Sequence, residues 1–292
     1  MKSFVALVKR EYLEHRGAFL YGPLLIIGLL VAGTVMPFLV GRFRADYFGD
    51  QIEGTLKFYE VAFIAAIGGW TVYLIITLFF YYADAFSADK RNNAMLFWKS
   101  MPVSDLKILS SKMTAGLTVF PALVFAAMLF SGAWAYVMAL MVHAQFPLFA
   151  APDFLAAFNS FWRLGLVAIV FLALVLLWIA PLLAWVGALS TVVGRWAMPL
   201  AALIPAILVL LENVFFKGPD GGVIFNYLRY RADFAWASNA VRNQILTLGP
   251  VDMVRFTADL LSHVNWVQMV AGWAFAVVVI VLASEYRRRT LD

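Results

Sequence analysis

A chain of 292 residues with 64% hydrophobic side chains, 13% charged ones and a mean hydropathy of +0.86 falls outside the range of water-soluble domains, where about a quarter of residues carry charge. Its formal charge of +5 does not signal nucleic acid, because Lys and Arg gather at the ends of apolar runs, as they do where a membrane protein sets its orientation. With no cysteine, disulfides, thiolate metal sites and cysteine nucleophiles are excluded.

In residues 1–17, Phe4, Leu7, Val8 and Tyr12 recur at helical spacing, while Lys2, Lys9, Arg10, Glu14 and Arg16 fall mostly elsewhere on the wheel. This predicts a helix in the cytosolic interface, apolar side toward lipid and cations snorkelling to head groups; a plain orientation signal ahead of a span is the simpler alternative. Glu11 and Glu14 break up the positive stretch and no small-x-small site follows, so the first apolar run is expected to remain as a span.

About 20 apolar residues cross a hydrocarbon core of about 30 Å. Six runs meet that test, at about 18–40, 61–82, 113–142, 164–189, 196–216 and 266–284. The fourth and fifth are nearly continuous, and only Ser190, Thr191, Gly194 and Arg195 mark a turn between them. An even number of spans places both termini on one side, and both are basic, ending in Arg287, Arg288 and Arg289; the positive-inside rule makes that side the cytosol. The fold class expected is therefore all-α and polytopic, one transmembrane domain over 1–292. Pro23, Pro37, Pro121, Pro181, Pro199 and Pro205 punctuate the spans, each removing a backbone bond and favouring a kink; they are either hinges or the ordinary prolines of membrane helices.

Between spans two and three lies Ala83 to Lys112, with five Lys/Arg (Lys90, Arg91, Lys99, Lys107, Lys112) against Asp84, Asp89 and Asp105. A short amphipathic segment over 92–99 offers Met95, Leu96, Phe97 and Trp98 to a surface, and Pro102 ends it. A second helix is expected to restart at a capping Ser104, with Val103 and Ile108 as a hydrophobic staple. On the other side of the membrane the longest connection, 217–265, opens with the turn signal Pro219-Asp220-Gly221-Gly222. It contains a helix capped by Asp252, with Val251 and Phe256 as a staple and Met253, Phe256, Leu260, Leu261 and Val264 on one face. Residues 41–60 and 143–163 read as the other outer loops.

No GxxxxGK[ST] loop, HExxH or GxSxG is present, and His15, His143 and His263 lie in separate segments. The chain thus offers no ATPase of its own and no local catalytic cluster. Ionisable residues near the bilayer are the remaining clues: Asp84 at the cytosolic end of span two and Glu212 near the outer end of span five are candidates for a substrate pathway or gate, while Arg163 and Arg195 sit at opposite ends of span four.

The basic stretch LVKREYLEHRG at Leu7–Gly17, two spans, and then a loop of charged, aromatic and S-M-P-V-S-D character followed by Lys112 together resemble the membrane subunit of ATP-binding-cassette type-2 exporters. The resemblance implies an elbow helix at the N-terminus, a coupling helix in the 83–112 loop and surface helices before span six. It implies a bacterial inner-membrane permease without bound cofactor, paired with a second permease chain and with two cytosolic ATPase subunits that hold ATP and Mg. Asn92, Asn93, Met95, Leu96, Phe97 and Trp98, with Arg10 and Glu11, would then contact the ATPase, aromatic residues being favoured interface anchors. The alternative is a self-sufficient membrane transporter or a membrane-embedded enzyme acting on lipids.

Overall fold

The computed structural model describes residues 2–40, 55–91, 104–145, 151–215, 222–232 and 253–289. Over these the chain is an all-α bundle. Helix α1 (Lys2–Arg16) passes through a π-helical turn (Gly17–Tyr21) into α2 (Gly22–Leu39); α3 (Thr55–Arg91) follows; α4 (Asp105–Thr114) passes through a second π-helical turn (Ala115–Val119) into α5 (Phe120–Gln145). Then come α6 (Phe154–Val193), a 3₁₀ turn (Gly194–Trp196), α7 (Ala197–Phe215), α8 (Val223–Ala232), α9 (Met253–His263) and α10 (Trp266–Arg289). Six helical stretches among the described residues are long and apolar enough to cross a membrane.

The central column is α6, whose most apolar window is 56% buried, flanked by α3, α5 and α10; the windows of α2 and α7 are 11% and 6% buried. Those outer helices turn large apolar side chains such as Leu29, Leu208 and Leu210 away from the protein. Lipid tails would cover such surface, whereas water would not.

Four of the helical stretches overrun the expected spans, while α2 and α7 lie within 18–40 and 196–216. Residues 83–91 continue α3, and 154–163, expected as loop, form the first turns of α6. Asp153 explains the latter start, since its carboxylate accepts the Leu155 amide at 3.0 Å. Ser104 caps α4 as expected, accepting the Lys107 amide. The turn between spans four and five falls where the polar residues put it, at Gly194, whose φ of +58° few other residues adopt.

Pro23 and Pro121 each stand just after a π-helical turn. A proline ring collides with the carbonyl four residues back, and widening the preceding turn relieves that collision. Helix α9 forms where a helix was expected; of the expected face Leu260 is buried, as is Val264 just beyond the helix, while Leu261 is exposed.

Candidate functional site

Helix α1 packs along α4. Of its expected apolar face, Leu7 is buried against protein, while Phe4, Val8 and Tyr12 are half-buried. Both termini come to this end of the bundle: Lys107 Nζ donates to Ser3 Oγ at 2.6 Å, and Arg287, near the end of α10, pairs with Asp105 of α4 at 2.9 Å.

At the centre of this end are Glu11 and Lys112, exposed by 3% and 1%. Lys112 Nζ donates to Glu11 Oε1 at 2.7 Å, a charge-assisted bond shielded from water. The Tyr81 hydroxyl from α3 stands 3.0 Å from Glu11 Oε2 and 3.1 Å from the Lys112 carbonyl. His15 Nδ1 is 3.9 Å from Glu11 Oε2, and the His15 ring meets Tyr81 edge-on at 4.7 Å.

Just beneath, the first π-helical turn packs against the start of α5, directly after the second. Phe19 of the first stacks on Phe120, which follows the second, at 3.9 Å and 3°; Tyr81 packs edge-on against Phe120 at 5.0 Å. Tyr82 donates to the Met113 carbonyl at 3.0 Å, so adjacent tyrosines of α3 serve adjacent carbonyls at the mouth of the second π turn. Gly116 allows this approach, because a Cβ there would run into the Tyr82 hydroxyl. π turns inside α-helices recur at functional sites.

Of the expected site residues, Asn92, Asn93, Met95, Leu96, Phe97 and Trp98 lie outside the described residues. Their flanks do not: α3 ends at Arg91 and α4 begins at Asp105, at the end of the bundle that holds Glu11 and Lys112. Glu11 itself faces inward and is engaged by Lys112 and Tyr81. Arg10 remains on the surface, bound to Glu14 at 2.6 Å. Asp84 is half-buried one turn beyond Tyr81.

Glu212 belongs to the opposite end. Its carboxylate accepts the amides of Ile224, at 2.8 Å, and Phe225, at 3.3 Å, and so caps α8. Gly222 makes room for it, since a Cβ at that position would overlap the carboxylate. Also at that end are a buried Glu60 bonded to Ser160 at 2.8 Å and an apolar cleft of about 200 Å³ lined by Tyr59, Tyr136, Phe154, Phe158 and Phe161.

Lys112 was not among the expected site residues, although one signal was available: Glu11 follows Leu7 by four and Val8 by three, on the buried stripe. A carboxylate there requires a cation, but the wheel cannot say which of the 22 Lys and Arg supplies it. No family model, curated protein or solved structure matches the chain.

Proposed function

We propose that the chain is the membrane-spanning permease subunit of an ATP-driven exporter of the ABC type-2 kind. It works as a pair of permease chains with two cytosolic ATPase subunits, in a bacterial inner membrane. The observation that carries this reading is the buried Glu11–Lys112 contact. It ties the N-terminal helix to α4, the helix that follows the 92–99 segment, so a push on either is passed to the first and third spans. A short amphipathic sequence carrying Phe97 and Trp98 suits docking in a groove of the ATPase. ATP-driven closure of the ATPases would then switch the cavity between the two permeases from inward- to outward-facing. The scarcity of polar residues deep in the spans favours a lipophilic or amphipathic cargo.

The test is affinity purification from the native membrane. A nucleotide-binding subunit should come down with the chain, and Phe97→Ala/Trp98→Ala should reduce its recovery at least tenfold while the permease still folds. Recovery of the chain without such a subunit, or unchanged recovery with the double variant, would defeat the reading.

A further inference from the structure

Helix α8 carries Arg231, a cation only 3% exposed, in its last turn. Its Nη1 donates to the Trp178 carbonyl at 3.0 Å and its Nη2 to the Gln268 carbonyl at 2.7 Å. Its Nε reaches the Tyr227 hydroxyl at 3.3 Å, and its guanidinium lies 4.4 Å from the centre of the Trp178 ring, within cation–π range. The Trp178 indole donates back to the Arg231 carbonyl at 3.1 Å. One residue thus joins α8 to both α6 and α10.

The place it holds is a weak point of α6. Pro181 has no amide proton, so the Leu177 carbonyl four residues earlier loses its helical donor. The Trp273 indole of α10 supplies one at 2.9 Å, and Arg231 occupies the next carbonyl, that of Trp178. Gly272 permits the crowding: a Cβ there would sit 2.6 Å from Arg231 Nη2 and 3.1 Å from Pro181 Cγ. Trp178 is fifteen residues from Val193, and Gly272 fifteen from Arg287. At 1.5 Å per residue Arg231 therefore lies about 22 Å from the end of the bundle that carries the termini. That is within the depth of a hydrocarbon core of about 30 Å, where an ionisable group is costly and calls for a functional account.

The other end of α8 is held by a different helix, through the Glu212 cap from α7. We infer that α8 is a detachable strap. It is fastened at one end to α7 by Glu212 and at the other, by Arg231, to the Trp178 carbonyl beside the proline turn of α6 and to the start of α10, so releasing the Arg231 end leaves the Trp273 bond alone to brace α6 at Pro181. Arg231 is the positioning residue of this device, and its forked guanidinium is what spans two carbonyls on different helices.

Amide hydrogen exchange of the purified chain in lipid nanodiscs tests the strap at each end separately. Arg231→Met should speed exchange at least tenfold over 228–232 and around Leu182, while the Ile224 and Phe225 amides under Glu212 stay protected. Glu212→Ala should give the reverse pattern. If Arg231→Met does not fold, Arg231→Lys carries the test, because it keeps a cation near Trp178 but cannot bridge both carbonyls; it should loosen the same end. Exchange unchanged over 228–232 in a folded Arg231 variant, or spread evenly over the whole bundle, overturns the strap.

Release of the strap during a transport cycle rests on the exporter reading and is tested apart from it. A cysteine replacing Gln268 should react faster with an impermeant maleimide in energised cells than in ATP-depleted ones. Equal rates overturn driven release and leave the strap itself to the exchange result.

Discussion

The Glu11 carboxylate and the Lys112 ammonium, 101 positions apart in the chain, meet at 2.7 Å in a site that water does not reach. Removing one partner strands the other as a buried charge, which costs about 3–5 kcal/mol, whereas replacing both with apolar residues of similar volume is often neutral. Lys112→Met and Glu11→Leu should therefore each lower the thermal unfolding midpoint of the solubilised protein by several degrees. The double variant should recover most of the loss. Additive losses would show that the two groups act independently.

The sequence is a good guide to the parts of this fold governed by local rules, and a poor one where the answer depends on what packs opposite. Ser104 as a cap and Gly194 as the break between α6 and α7 depend on groups within a few residues of each, and they are found where expected. The boundaries 61–82 and 164–189 fall short because hydropathy reports where apolar residues thin out, not where hydrogen bonding stops. Residues 83–91 and 154–163 stay helical while becoming polar or aromatic. Neither π turn is written in periodicity, although a proline follows each. The pairs Glu11–Lys112 and Arg231–Trp178 join segments 101 and 53 positions apart, beyond the reach of any spacing rule, and the same holds for the seat that Glu212 gives the first amides of α8.

The crossing of α3 and α5 gives a packing prediction. A Cβ on Gly132 would lie 2.6 Å from the ring of Phe63, a side chain that is fully buried and stacked 5.6 Å from Phe161. The ring has nowhere to retreat, so Gly132→Ala should destabilise by about 1–3 kcal/mol through overpacking. Phe63→Leu in the same chain should relieve part of it, which thermal unfolding of the single and double variants would measure. No rescue would mean that α3 and α5 separate instead.

Tyr82 and the second π turn can be separated from simple packing. Tyr82→Phe keeps the ring and removes only the hydroxyl that serves the Met113 carbonyl, a hydrogen bond worth about 0.5–1.5 kcal/mol net. The loss should appear as faster amide exchange confined to 113–120. Uniform loosening of α5 would show that the hydroxyl does not hold the turn.

The orientation of the bundle is testable because the chain has no cysteine, so any introduced thiol reports alone. Arg287, Arg288 and Arg289 end α10, and Lys107 and Lys112 lie on α4 at the same end of the bundle; the positive-inside rule turns such an end toward the cytosol. A cysteine at Asn93, between α3 and α4, should then resist a membrane-impermeant maleimide in whole cells and react once the membrane is opened. One at Asp220, on the side of the Glu212 cap, should react in whole cells. The reverse pattern would turn the end that holds the Glu212 cap toward the cytosol, and the 92–99 segment could no longer meet a cytosolic ATPase.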